Sequence, residues 1–177
     1  MRRVQSGDEA SLATLMDQWE LPLKGLLQRF LHNEQEAADL AQETFVRVWE
    51  QKEKFRPDAE FRPWLFSIAV NLARNRLRWW RRRPEVTLDA WSGADEAENS
   101  AGAIETRERA TAVRDAINAL PRDLREAVML AEFEGMSHAE IAATAETTVK
   151  AIESRLYRAR AVLRTSLARW LEQDATA

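Results

Sequence analysis

Apolar residues recur at three- and four-residue steps through Leu12, Leu15, Met16 and Trp19, and again through Leu23, Leu26, Leu27 and Phe30. That period marks helices with one buried face, and Pro22 between the two runs predicts a break, because proline removes an amide donor and crowds the preceding turn. The same period predicts helices at about 35–52, 62–82, 104–119, 121–133, 138–145 and 149–172, and nothing reads as a strand. Residues 84–103 lose the period, gain acids, Gly and Ser, and contain no base. They read as a flexible acidic linker. The expected fold is therefore all-α, with two small helical domains at 1–83 and 104–177 and a helix-turn-helix in the second.

Local signals sharpen this outline. Ser137 and Glu140 fit a capping box, so a short helix should start there, turn near 145–147, and lead into a longer helix capped by Thr148. On that longer helix Val149, Ile152, Leu156, Ala159 and Leu163 share one face, and Lys150, Ser154, Tyr157 and Arg158 the other. Near 62, Pro63 suits the first helical position, and Leu65, Ile68, Ala69, Leu72 and Trp79 define a buried side. Ser67, Asn71, Arg74 and Arg78 line the opposite side and run on into Arg81, Arg82 and Arg83.

Composition bounds the chemistry. The 177 residues are 45% apolar and 31% charged, which allows one modest core or two small ones. No apolar run approaches the roughly 20 residues that cross a bilayer, and the basic N-terminus meets Gly7, Asp8 and Glu9 instead of an apolar signal core, so a cytoplasmic protein without direct membrane insertion is expected. Without cysteine there is no disulfide, thiolate metal site or thiol sensor, and His32 and His138 read as surface residues, so neither metal nor cofactor is expected. No Glu-x-x-His pair, phosphate-binding Gly loop or nucleophile with a base supports an enzyme.

The net charge of -3 argues against a nucleic-acid partner until its distribution is counted. Residues 1–83 carry 15 bases against 12 acids, 84–106 none against 6, and 107–177 carry 11 of each. Local clusters decide where phosphates dock. The densest, Arg74 to Arg83, holds six arginines and the pair Trp79–Trp80 with no acid. Guanidinium forks suit phosphate and indole faces suit unpaired bases, although a solvated arginine face over packed tryptophans fits the same pattern, and Trp79 fits packing better than stacking.

In a helix-turn-helix the second helix enters the major groove with its N-terminal residues at base edges. Thr148, Lys150, Ala151, Glu153, Ser154 and Arg155 are then candidate base readers, and Arg158, Arg160 and Arg164 candidate phosphate clamps. A plain helical hairpin with a solvated basic face has the same periodicity. In the first domain Leu40, Ala41, Phe45, Val48 and Trp49 share a face, with Asp39, Glu43, Glu50 and the apolar Val46 opposite. An apolar residue in an acidic stripe suits a protein-facing surface, and a solvated face is the usual alternative.

Three segments carry a resemblance. Asp39-Leu-Ala-Gln-Glu-Thr-Phe-Val-Arg-Val-Trp49, Phe61-Arg-Pro-Trp-Leu-Phe-Ser-Ile-Ala-Val-Asn71, and the run from Ala119-Leu-Pro121 through Glu140-Ile-Ala142 to Ser154-Arg-Leu-Tyr-Arg-Ala-Arg160 together resemble the extracytoplasmic-function sigma factors of bacterial RNA polymerase. The resemblance implies that Asp39, Gln42, Glu43, Val46 and Arg47 meet the β′ clamp helices of core polymerase. It implies that the loop 55–61 with Arg56 and Phe61, then Arg62, Trp64 and the Ser67–Asn71–Arg74–Arg78 face leading to Arg81–Arg83, take the melted minus-ten strand. It further implies that the helix from Thr148, including Tyr157 and Arg160, reads the minus-thirty-five element of promoter DNA beside a β flap contact.

The 84–103 linker, at most roughly 70 Å long, would let the two domains reach elements about two turns of B-DNA apart. Regulation by an anti-sigma factor, with the protein a monomer or a heterodimer with that partner, is also implied. The rival without polymerase is a conventional helix-turn-helix regulator of duplex DNA. Two positions depart from the family pattern: Glu146 stands where Gly is frequent in the turn, and Glu153 where Lys is frequent on the reading helix. The first tests the backbone of the turn, and the second changes the base edge that can be read.

Overall fold

The computed structural model describes residues 1–82 and 101–174, with side chains at 1–82 and 106–171. The helices fall into two compact units, the first built on residues before 83 and the second on residues after 100, the short stretch Ala143–Glu146 grouping with the first.

In the first unit a single turn, α1 (Arg2–Gln5), precedes the long α2 (Glu9–Leu31). Asp8 caps α2: its carboxylate accepts from the Ser11 backbone N–H at 3.2 Å and the Ser11 hydroxyl at 2.9 Å. Arg3 adds an ion pair at 2.9 Å, and these contacts, the Ser11 hydroxyl first, hold the Asp8 carboxyl below the usual carboxylate range.

Pro22 does not break α2, contrary to the expectation from sequence; the helix runs through it for 23 residues. Pro22 faces solvent, while Leu23, Leu26 and Leu27 beyond it are fully buried. Burying each leucine is worth about 1.5–3 kcal/mol, and together they outweigh the cost of about 3 kcal/mol for an interior proline.

His32 ends α2 in the left-handed region (φ 53°), and the Asn33 side chain accepts from the Glu36 N–H at 2.9 Å to start α3 (Glu34–Glu50). A 3-10 turn (Lys52–Lys54) and a loop lead to α4 (Phe61–Arg82). The core of this unit joins Leu23, Leu26, Leu27 and Phe30 of α2 to Leu40, Ala41, Phe45 and Val48 of α3 and Leu65, Phe66, Ala69, Val70 and Ala73 of α4. The buried stripe of α4 is thus rotated from the expected one. Ile68 and Leu72 are half-buried, and Trp79 keeps 42% of its surface exposed. Pro63 lies at the third helical position, still inside the first turn where no amide donor is needed. Arg76 forms an ion pair with Glu36 that ties α4 to α3.

The second unit starts with α5 (Ala101–Ala119), and Pro121 precedes α6 (Arg122–Val128), accepting from the Leu124 and Arg125 N–H groups at 3.0 and 2.9 Å. The helix expected over 121–133 does not keep one geometry: its last part, Met129–Phe133, is a wider π-helical turn. Ser137 and Glu140 then form the anticipated box, with the Ser137 N–H donating to Glu140 at 2.8 Å and the Glu140 N–H to the Ser137 hydroxyl at 3.2 Å, and α7 (His138–Thr144) comes next.

The turn after α7 closes with the Thr147 N–H on the Ala142 carbonyl at 2.9 Å and the Glu146 N–H on the Ala143 carbonyl at 3.4 Å. This is a Schellman motif, with Glu146 in the left-handed position at φ 50°. Thr148 caps α8 (Val149–Ser166) by accepting from the Ala151 N–H at 3.2 Å. Ile152, Leu156 and Ala159 of α8 are buried with Leu124, Ala127 and Val128 of α6 in the core of this unit, while Val149, on the expected apolar stripe, is exposed in the open first turn. The helix expected to run to 172 stops at Ser166, and α9 (Ala168–Asp174) starts after Leu167.

Candidate nucleic-acid interface

Three surfaces gather the candidate residues. On α3, Asp39, Gln42 and Val46 are exposed, and Val46 keeps 55% of its surface. Arg47 lies between two acids of its own helix, 3.3 Å from Glu43 and 3.2 Å from Glu50. Asp39 accepts from the Gln35 side chain at 3.2 Å. Each of these contacts is local and solvated, worth a few tenths of a kcal/mol, so a partner with a stronger claim can replace it.

The second surface is built on an aromatic cluster. Phe55 is buried, 5.1 Å from Trp64 and 6.2 Å from Phe61 between ring centroids, and Trp19 of α2 meets both Phe61 and Phe66 at 6.1 Å. Phe61 and Trp64 are half-buried here, so packing already claims part of each ring. Beyond Phe55 the loop turns outward, and at its tip Arg56 grips Asp58 with two hydrogen bonds, 3.3 and 2.8 Å. The Arg56 hydrogen bonds hold the Asp58 carboxyl below its usual range.

From this cluster α4 carries a polar rail. Ser67 donates to the Trp64 backbone carbonyl at 2.7 Å, Arg74 donates to the Asn71 side-chain Oδ1 at 2.8 Å, and the Arg62 guanidinium stacks 5.6 Å above Phe66. Asn71, Arg78, Arg81 and Arg82 are exposed, and Arg78, Arg81 and Arg82 meet no acid among the described residues. Arg83 lies outside the described residues. Arg76 is withdrawn from this rail by its pair with Glu36.

The third surface is the open side of α8. Lys150, Glu153, Ser154, Tyr157 and Arg158 are exposed, Tyr157 at 77%, and Ala151 is half-buried. Thr148 spends its hydroxyl on the cap. Arg155 leaves the row: its side chain is only 24% exposed and its Nε lies 3.6 Å from Asp123 of α6. Arg160 turns to Glu132 at 3.3 Å, and Glu153 lies 3.9 Å from His138 Nδ1. Sequence reasoning missed the partners Asp123 and Glu132, since each lies 28 or more positions from its arginine and no local spacing announces it.

These features define an all-helical protein that presents cationic helix faces from two units. Residues 15–83 match the model of sigma-70 region 2, and residues 110–163 that of sigma-70 region 4. The chain is 37% identical to the RNA polymerase sigma-H factor of Pseudomonas aeruginosa, covering 94% of this chain and 91% of that one. It is 35% identical to the ECF RNA polymerase sigma-E factor of Escherichia coli, over 90% and 88%. Among solved structures it is similar to CnrH in complex with the cytosolic domain of CnrY, at 28% identity and a TM-score of 0.71 over 95% of this chain and 94% of that one.

The chain belongs to the extracytoplasmic-function sigma factors. It serves bacterial RNA polymerase in promoter-specific initiation of transcription. Among the described residues no helix is long and apolar enough to cross a membrane.

Proposed function

We propose that the two units divide promoter recognition between melted and duplex DNA. The exposed α3 face of Asp39, Gln42, Glu43, Val46 and Arg47 docks on the β′ clamp helices, its short-range ion pairs exchanging for intermolecular ones. The loop with Arg56, the ring edges of Phe61 and Trp64, and the Arg62, Ser67, Asn71 and Arg74 side chains then hold an unstacked base of the minus-ten strand. Arg78, Arg81, Arg82 and Arg83 run along its phosphates. The second unit reads the minus-thirty-five duplex through Lys150, Glu153 and Ser154, with Tyr157 and Arg158 on the backbone, and an adjoining surface of that unit meets the β flap. Thr148, Ala151, Arg155 and Arg160 orient and border this face.

The protein catalyses no covalent step. Unstacking a base costs a few kcal/mol and its capture returns about 1–3 kcal/mol, so contacts to polymerase and phosphate supply the remainder. Free protein accordingly binds promoter weakly, works in the cytoplasm, and is held in check by an anti-sigma partner. The similarity to CnrH, solved with the cytosolic domain of CnrY, supports a protein partner of that kind.

The observation that carries the reading is the row of Arg78, Arg81 and Arg82, exposed and without an acid partner among the described residues, leading from an aromatic cluster beside a polar helix face. Transcription with sigma-free core polymerase over a promoter library randomised in both elements tests it. The expected result is enrichment of one minus-ten and one minus-thirty-five motif at a fixed spacing. Initiation from no template overturns the reading.

A further inference from the structure

The N-terminal turn lies outside both family-matched segments, yet it reaches the loop that precedes α4. The Gln5 side-chain amide donates to the carbonyl of Lys52 at 3.0 Å and to that of Phe55 at 2.8 Å, across 47 and 50 residues of chain. A primary amide nitrogen carries two hydrogens, so each carbonyl takes one. The Lys52 carbonyl also accepts from the Phe55 N–H at 3.2 Å, which closes the 3-10 turn. Gln5 therefore fastens both ends of the turn from which the loop springs.

Gln5 is itself held. Val4 beside it is fully buried, the Gly7 N–H bonds the Val4 carbonyl at 3.0 Å, and the Asp8 N–H bonds the Arg3 carbonyl at 3.0 Å. Arg3 closes the hook through its ion pair with Asp8. On the other side the Phe55 ring is buried against Trp64 and Phe61, so the backbone of Phe55 is fixed by Gln5 and its side chain by the aromatic cluster. The next residue is Arg56, whose guanidinium is 77% exposed at the loop tip.

We propose that Gln5 is a positioning residue for minus-ten recognition: by clamping the Lys52 and Phe55 carbonyls it sets where Arg56 and the rest of the loop emerge beside the α4 face. The proposal rests on the reading of this loop as part of the minus-ten site. Gln5 touches no DNA. It acts through the loop it fixes.

The test measures open-complex formation by holoenzyme on templates with single-base changes across the minus-ten element, for the wild type, Gln5→Ala, Gln5→Lys and Arg56→Ala. Gln5→Ala removes two hydrogen bonds and is expected to lower discrimination at the loop-contacted positions by about tenfold, with affinity for core polymerase and minus-thirty-five preference unchanged. Gln5→Lys, whose ammonium can donate to both carbonyls, is expected to restore most of the discrimination. A uniform fall on all templates, or none, for Gln5→Ala overturns the positioning role. Should Arg56→Ala leave the minus-ten profile intact as well, the reading of the loop itself falls; should Arg56→Ala flatten the profile while Gln5→Ala does not, only the role of Gln5 falls.

Discussion

The two cationic helices α4 and α8 look alike in sequence and differ in how their charges are employed. At the end of α4, Arg78, Arg81 and Arg82 project from a helix whose core contacts lie further back at Leu65, Phe66, Ala69 and Val70, and no acid among the described residues engages them. On α8 the arginines are divided. Arg155 leans on Asp123 and Arg160 on Glu132, while Lys150, Ser154 and Arg158 stay on the open side. A run of cations with no internal partner suits any phosphate chain, whereas a helix that commits some charges to its own scaffold exposes a restricted set of groups in a fixed order, which is what reading a base sequence needs.

The strongest way to break this comparison is to remove the run. Changing Arg78, Arg81 and Arg82 together to Ala is expected to lower holoenzyme affinity for every promoter tested, irrespective of sequence. It should also reduce the slope of log affinity against log salt by about 0.7–0.9 for each phosphate that is no longer neutralised. Filter binding at several salt concentrations measures both. A loss confined to some minus-ten sequences would show that these arginines read bases.

A smaller effect separates two cations of α8 that sequence alone treats as equivalents. Lys150→Ala should relax minus-thirty-five preference by about 1–3 kcal/mol at a single base position. Arg155→Ala should change that preference less and act mainly on stability, by removing the partly exposed Asp123 pair, worth about 0–1 kcal/mol. Competition binding of holoenzyme to single-base variants decides between them. Equal relaxation by both would place Arg155 at the DNA.

Most of the fold was legible because local rules govern it. The helical period marked each long helix, and the Ser137–Glu140 box and the Thr148 cap were read from spacing and then met by hydrogen bonds. Errors arose where packing overrode a local rule. Pro22 breaks no helix because Leu23, Leu26 and Leu27 anchor the turns beyond it, and Trp79 is exposed because the buried stripe of α4 runs through Phe66, Val70 and Ala73. The surfaces were legible by residue type and less so by partner. Asp123 and Glu132, which take Arg155 and Arg160, and Gln5, which takes the Lys52 and Phe55 carbonyls, belong to contacts that only the tertiary fold creates.

The smallest expected effect concerns how each helix is launched. The loop before α4 is held by rings, but α8 leaves a turn whose left-handed residue is Glu146 at φ 50°. A residue with a Cβ is strained there by roughly 1–2 kcal/mol, and glycine is not. Glycine also gives the unfolded chain more freedom, which costs about 0.4–1 kcal/mol, so the backbone contributions alone favour Glu146→Gly at this turn by roughly 0–1.6 kcal/mol. The same change removes an exposed acid two residues before the cap of α8, where a negative charge favours the helix dipole by about 0.3–1 kcal/mol and repels phosphate. Glu146→Gln separates the two contributions, because it discards the charge and keeps the Cβ. If backbone strain dominates, thermal unfolding rises for Gly and not for Gln; if charge dominates, both variants shift together, and α8 owes its start to Thr148 and the field at its N-terminus more than to the geometry of the turn.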